Sequence, residues 1–186
     1  MDPDDTLRLI APDAALRDEL LAYVDEFGVD TGRWWGKLRR HVVRDFPALV
    51  ARLAANARGE RLLPDHVATE QWWLVRGGRI LGTARLRLVL TPRLRLQGGH
   101  VGYDVRPTER GRGVATELLR RVLARANALG IDPALVTCDD DNVASARVIE
   151  KNGGVLLGKG PAPGKTVLVR RYRVPTAVVE ARRRHD

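Results

Sequence analysis

The 186-residue chain predicts an α/β fold. Three observations carry the prediction. Segments with apolar residues at alternate positions, the strand period, are interleaved with segments of helical period. Residues 100–130 join one such strand to one such helix through a glycine-rich turn. The composition (44% hydrophobic, 30% charged, one cysteine) is that of a globular chain without a disulfide framework, long enough for one domain with its own core.

In chain order, Thr6 to Ile10 predicts a short strand. Pro12-Asp13 opens a helix whose stripe is Leu16, Leu20, Val24 and Phe27, and Gly28 ends it. Residues 31–63 predict a second helical region, broken near Pro47 because proline disfavours helix in the residue before it. After Pro64-Asp65, the segments Ala68 to Arg76 and Arg79 to Leu90 predict two strands joined by a tight Gly77-Gly78 turn. Trp72 and Trp73 are neighbours on the first of these and must face opposite sides. Thr91 to Gly99 reads as a basic loop.

Val101-Gly102-Tyr103-Asp104-Val105 predicts the central strand, which Pro107 ends. A helix follows, with Ala115, Leu118, Leu119, Val122, Leu123, Ala126 and Leu129 on one face, Arg120, Arg121 and Arg125 on the other, and Gly130 as its stop. Ala134 to Cys138 predicts a strand, and Asn142 starts a short helix that Gly153-Gly154 ends. Val155 to Leu157 and Thr166 to Val174 predict the last two strands, and the tail ARRRHD is expected to fray.

A strand, a glycine turn and a helix start form an anion site. The first N–H groups of a helix have no internal partner and carry the positive end of the peptide dipoles. Gly111 and Gly113 let a phosphate approach the backbone, and Arg110 and Arg112 add charged donors. The turn lacks the Lys-Ser/Thr of a P-loop and a full GxGxxG. It does match R-x-x-G-x-A, as Arg110-x-x-Gly113-x-Ala115, and so resembles the acetyl-CoA signature of the GNAT superfamily of N-acetyltransferases. Downstream, Leu135-Val136-Thr137-Cys138 and the segment from Asp141 to Gly154 resemble the second GNAT motif in the expected order and spacing.

The resemblance covers residues 68–174. It implies a single GNAT domain, a mixed, mostly antiparallel twisted sheet with helices on both faces. Residues 1–66 would be an N-terminal helical region on the acceptor side, 68–174 the acetyl-CoA core and 175–186 a tail. It also implies a site. Arg110, Gly111, Arg112, Gly113, Val114, Ala115 and Thr116 would hold the pyrophosphate of acetyl-CoA, the cosubstrate. Asn142, Ser145 and Ile149 would border the pantetheine arm, and backbone N–H groups of Tyr103 and Val105 would face the acetyl oxygen. Asp25, Glu26, Asp30, Trp34, Trp35 and Trp72 would line the acceptor pocket. No metal is expected, and the lone Cys138 excludes a cysteine-based zinc site.

The proton steps are open in the sequence. Relatives place a Glu or His at positions that are Gly99 and Val101 here, with His100 between them; a one-residue bulge would turn His100 to the site. Glu70 and Asp104 are the other candidate bases. Relatives also carry a tyrosine where this chain has Ile149, which leaves Ser145, or less naturally Cys138, to assist the leaving thiolate.

Net charge is +9, but residues 1–30 hold nine acids against Arg8 and Arg17, so the remainder carries +16. The basic part suits coenzyme A phosphates, and the acidic segment suits a cationic acceptor. The leading expectation is acetyl transfer to a primary amine of a small cationic acceptor, an aminoglycoside-type antibiotic being one example. A peptide or protein amine is the first alternative, and an acyl-CoA-binding sensor without turnover the second. Nucleic-acid binding is the weaker reading of the positive charge, and a homodimer is left open. No apolar run is long enough to span a membrane, and the acidic start MDPDDTLRL lacks the features of a signal peptide, so a cytoplasmic location is expected.

Overall fold

The structure, a computed structural model, describes residues 6–28, 33–60 and 62–177. Asp30 and the end of the tail, residues 178–186, lie outside the described residues. In chain order the elements are β1 (Arg8–Ile10), α1 (Arg17–Asp25), α2 (Arg33–Arg44), α3 (Phe46–Ala57), β2 (Thr69–Arg76), β3 (Arg79–Arg87), α4 (Pro92–Leu96), β4 (Val101–Val105), α5 (Val114–Ala128), β5 (Ala134–Asp139), α6 (Val143–Lys151), β6 (Val155–Gly160) and β7 (Val169–Val174). The strands form one sheet in the order β1-β2-β3-β4-β5-β7-β6. Every pairing is antiparallel except β4 with β5. That is the mixed, mostly antiparallel sheet expected.

Local chemistry explains the boundaries. Asp13 caps a short 3-10 turn ahead of α1 by accepting from the Ala15 N–H at 2.9 Å. Asp45 caps α3, accepting from Ala48 N–H at 3.0 Å, with Pro47 in the first turn where its missing N–H costs nothing. The break near Pro47 is therefore a change of helix. Gly77 and Gly78, both at positive φ, make the β2–β3 hairpin turn. The expected loop at Thr91–Gly99 contains α4, started by the Thr91 hydroxyl accepting from Leu94 N–H at 3.2 Å. Thr-Pro before a short polar run was the signal for it.

The sheet divides two cores. On one face Leu74, Leu86, Val101 and Val136 pack under Leu118, Leu119 and Val122 of α5. On the other, Trp73, Val75 and Ile80 pack under Leu20, Tyr23 and Val24 of α1, Val42 of α2, and Phe46 and Leu49 of α3. Trp72 and Trp73 do face opposite sides, each going to a different core. At about 1.5–3 kcal/mol for each fully buried aliphatic side chain, both cores drive folding.

Candidate active site

The central parallel pair opens almost as soon as it forms. β4 and β5 share one paired position, Val101 with Val136, while β4 stays paired with β3 from Val101 through Val105. Gly99 permits the close approach just before the opening, since a Cβ there would collide with the Leu135 backbone. In the antiparallel β3–β4 ladder, Arg87 N–H bonds the His100 carbonyl and Arg106 N–H bonds that of Leu81. The alternation of a strand then aims the backbone groups of Gly102 and Asp104 at β3, and those of Tyr103 and Val105 into the opening. These are unpaired strand donors at the mouth of a wedge.

The glycine turn stands at the wedge. Gly113 is the N-cap of α5, and both Gly111 and Gly113 have positive φ, 78° and 80°. A Cβ at either would meet nothing within 4 Å, so the space the glycines leave is open for a ligand. The N–H groups of Val114, Ala115 and Thr116 lack acceptors in their own helix. The Val114 side chain is buried, so its contribution is the backbone. Arg112 is exposed, 3.6 Å from the buried Glu109 carboxylate. Arg110 instead folds over the Phe27 ring, 5.6 Å from its centroid. Asn142 caps α6 by accepting from Ser145 N–H at 3.0 Å, and Tyr103 reaches across to donate to the Ser145 carbonyl at 3.4 Å. The turn and wedge fit the pyrophosphate and pantetheine of acetyl-CoA. Ile149 does not contribute: it is wholly buried in the α5 core, an apolar filler where a ligand contact was expected.

On the opposite face, helices α2 and α3 roof a cavity of about 600 Å³. Strand register fixes its floor. Trp73, Thr83 and Asp104 form one row across β2, β3 and β4; Gln71, Arg85 and Gly102 the next; Thr69 and Arg87 the third. Trp34, Trp35, Lys37 and His41 line it from α2, and Arg52 and Asn56 from α3. Trp34 is 53% exposed and stacks under Arg85, 5.1 Å away. Trp35 stacks on Phe27 with centroids 3.8 Å apart.

The cavity is cationic. Among the described residues, Lys37, Arg52, Arg85 and Arg87 line it against a single carboxylate, Asp104. Burial, then the neighbouring Arg52 and Lys37, push the His41 imidazole below its usual pKa, so it adds no charge near neutrality. Arg87 donates to the Gly98 and Gly99 carbonyls at 2.9 and 3.0 Å, and burial lowers its pKa to about 10.

The sequence's base candidates separate here. Asp104 faces the cavity at the edge of the wedge, one residue from both Tyr103 and Val105. Burial raises its pKa, against the pull of Arg85 at 3.2 Å and of Arg110. Glu70 lies on the α5 side of β2, clasped by Arg125 at 2.6 and 3.0 Å and by the Trp72 indole N–H at 2.9 Å; it does not face the cavity. His100 is not turned by a bulge, because the β3–β4 register is regular. Its Nδ1 accepts from Leu135 N–H at 2.9 Å and pins β4 to β5 at the apex of the wedge. Cys138 is a buried core residue whose thiol burial pushes up to about 11.

The expected acceptor residues also separate. Trp34 and Trp35 line the cavity. Trp72 does not; it packs on the other face beneath Arg125. Asp25 pairs with Arg39 at 2.8 Å. Glu26 accepts from the Thr108 hydroxyl at 2.8 Å and contacts Arg106 at 2.9 Å. Arg106, 2% exposed, also meets Glu19 at 2.8 Å. Asp25 and Glu26 thus tie the N-terminal helices together and to the segment before the glycine turn, and neither lines the cavity. Sequence reasoning missed Thr83, Arg85 and Arg87. The signal was their alternation with Gly82, Ala84 and Leu86: a strand apolar on one face and polar on the other, under a helical roof.

No curated protein sequence matches the chain. Among solved structures, the microcin self-immunity acetyltransferase MccE in complex with acetyl-CoA and AMP is similar at a TM-score of 0.66 and 14% identity, with 91% of this chain and 93% of that one covered. RimJ of Mycobacterium smegmatis in complex with CoA-disulfide gives 0.66 and 21%, covering 93% and 83%. An acetyl transferase of Salmonella typhimurium that modifies the N-terminal serine of a 50S ribosomal subunit protein gives 0.62 and 19%, covering 91% and 95%. At these identities the likeness is one of fold. Residues 36–155 match the acetyltransferase (GNAT) domain family, a range that takes in α2 after its first turn, the cavity floor, the wedge, the glycine turn and α6. The chain belongs to the GNAT family of acetyltransferases, enzymes whose acyl donor is acetyl-CoA.

Proposed function

We propose that this enzyme moves the acetyl group of acetyl-CoA to a primary amine held in the α2–α3 cavity, by direct attack with both substrates bound. The observation that carries the proposal is the position of Asp104. Its side chain faces the cavity while the adjacent backbone of Tyr103 and Val105 borders the wedge. An acyl-CoA sensor without turnover needs the wedge alone; the cavity reaching the same strand favours an acceptor.

Bound acetyl-CoA supplies an acyl group on a thioester. The chain's residues do the rest. The α5 N-terminus and Arg112 hold the phosphates. The N–H groups of Tyr103 and Val105 are donors for the carbonyl oxygen as charge develops on it. An alkylammonium, with a pKa of about 10, must lose a proton before it can attack. Two features help. The cations around the cavity disfavour the charged ammonium, and Asp104 takes its proton, its own affinity raised by burial. As the nitrogen bonds to the carbonyl carbon, the carbon–sulfur bond breaks. The leaving thiolate, whose thiol has a pKa near 8.5, needs little help. It takes the second proton, which the nitrogen loses as the amide forms, and the Ser145 hydroxyl on the first turn of α6 is assigned as the relay, accepting one proton as it donates its own.

By composition, the acidic N-terminal segment suits a small cationic acceptor such as an aminoglycoside. Asp25 and Glu26 are held by arginines instead, and the cavity carries four cations against Asp104. A peptide amine fits this charge better, and the Salmonella enzyme of the same fold acts on an N-terminal serine. Calorimetry with acetyl-CoA, followed by thiol release across aminoglycosides, polyamines, amino acids and N-terminal peptides, tests the proposal. Binding of acetyl-CoA without thiol release from any amine would favour the sensor.

A further inference from the structure

We infer that the acceptor carries an anionic group, carboxylate or phosphate, which Arg52, Lys37 and Arg87 hold while its amine lies at Asp104. The inference rests on the acceptor cavity of the proposed function and names the class of molecule that fills it.

The four cavity cations differ in what satisfies them. Arg85 has Asp104 at 3.2 Å and the face of Trp34. Arg87 is half-buried and bonded only to the Gly98 and Gly99 carbonyls. Lys37 and Arg52 have no carboxylate within ion-pair distance among the described residues. Many of the arginines elsewhere are satisfied differently. Arg39, Arg79, Arg106, Arg120, Arg121, Arg125 and Arg170 each meet an Asp or Glu. Arg87 is half-buried while Lys37 and Arg52 are exposed at the cavity rim; cations gathered in a concave site without counter-charge repel one another and attract an anion from outside.

Register gives the direction. Along β3, Thr83 stands in the row of Asp104, Arg85 in the next and Arg87 in the third. At about 3.4 Å per residue, Arg87 starts roughly 14 Å along the strand from the Asp104 row. Arginine and lysine side chains shorten that span to the length of a two- or three-residue peptide or a phosphorylated small amine. The amine end meets the carboxylate and the wedge; the anion end meets the unpaired cations under α3.

The test compares matched acceptors in a thiol-release assay with acetyl-CoA. One arm uses peptides bearing Glu, Gln or Lys at the second and third positions. The other compares phosphoethanolamine with ethanolamine. The expected result is a kcat/KM at least tenfold higher for the anionic member of one arm, lost as salt is raised; which arm shows it tells whether the anion is a peptide carboxylate or a phosphate. Arg52→Glu, on the exposed face of α3, is expected to lower the anionic-to-cationic ratio of kcat/KM at least tenfold. If no member releases thiol, tryptophan fluorescence of the CoA-loaded protein reads binding of the same pairs. Saturable binding of the anionic member that Arg52→Glu abolishes supports the inference. Equal or better use, or binding, of the neutral or lysine-bearing members overturns it while acetyl transfer stands. Failure to bind acetyl-CoA would instead sink the proposed function itself.

Discussion

Asp104 and Arg85 face each other on adjacent strands, with carboxylate and guanidinium 3.2 Å apart on the cavity floor. The pair is the one place where the sheet supplies negative charge to a cationic cavity. Two forces act on the carboxyl: burial raises its pKa, and Arg85 and Arg110 pull it down, burial being the larger. A base balanced in this way holds its proton more tightly than a free aspartate.

Asp104→Asn is expected to lower kcat by about 10²–10⁴ and leave acetyl-CoA affinity intact. Because activity needs the carboxylate, kcat/KM should rise with pH through a value above the ordinary 3.9 or so. Arg85→Met removes a pull that lowers the pKa, so that limb should move to higher pH. A limb that stays in place with Arg85→Met would show that another group is the base. A carboxyl whose folded pKa lies above its unfolded one stabilises the fold only while protonated. Wherever Asp104 is ionised its charge is therefore a cost, so as pH rises the asparagine variant should come to melt no lower than the parent.

Gly113 separates two effects. Alanine and glutamate both pay about 1–2 kcal/mol for the left-handed backbone, and neither Cβ meets another atom. Gly113→Ala should thus lower the melting temperature by a few degrees, and Gly113→Glu by a similar amount. The glutamate alone puts a carboxylate where phosphates are proposed to sit, so its acetyl-CoA Kd should be at least about tenfold weaker than that of the alanine variant. Calorimetry giving the two variants the same Kd would show that the turn does not hold the phosphates.

Glu70 is expected to matter for stability and not for chemistry. Hydrogen bonds from Arg125, then from Trp72, hold its pKa below the usual carboxylate value despite its burial. The stabilisation is present above the unfolded pKa, about 4.3, and is lost as pH falls through the folded one. Glu70→Gln should cost about 1 kcal/mol at pH 7, discounted for the partly exposed arginine, or roughly 2–4 °C in Tm. The difference should vanish in acid. A loss of kcat with Tm unchanged would return Glu70 to the list of bases.

The strands, the long helix and the glycine turn were legible in the sequence because their causes are local: period, caps and breakers. The acceptor side was not, because its charges are sorted by tertiary pairing. Asp25 and Glu26 belong to the acidic segment by composition, yet arginines from α2 and from beyond β4 claim them. Arg85 and Arg87 belong to a basic background by composition, yet register sets them beneath α2 and α3. Ile149 shows the same limit from the other side. Its place in a helix motif suggested a ligand contact, and its apolar side chain followed the core.

His100 gives the last prediction. Its Nδ1 accepts from Leu135 N–H, so the ring must be the tautomer with its proton on Nε2, and protonation of Nδ1 would break the link that pins β4 to β5. Burial, with Arg95 and Arg87, lowers its pKa below 6.5. The sign follows. Above about pH 6.5 both folded and unfolded forms are neutral and the group contributes no pH dependence; below it the unfolded chain binds the proton first, so stability falls with falling pH until the folded pKa is passed. His100→Asn offers an acceptor that does not titrate. It should flatten the stability–pH curve just below pH 6.5, cost no more than about 1–2 kcal/mol at pH 7, and leave the acid limb of kcat/KM where the parent has it. Urea melts from pH 5 to 8 read the first effect and steady-state rates the second. Displacement of the rate limit by His100→Asn, with the stability curve unchanged, would make the histidine a base after all and remove Asp104 from that role.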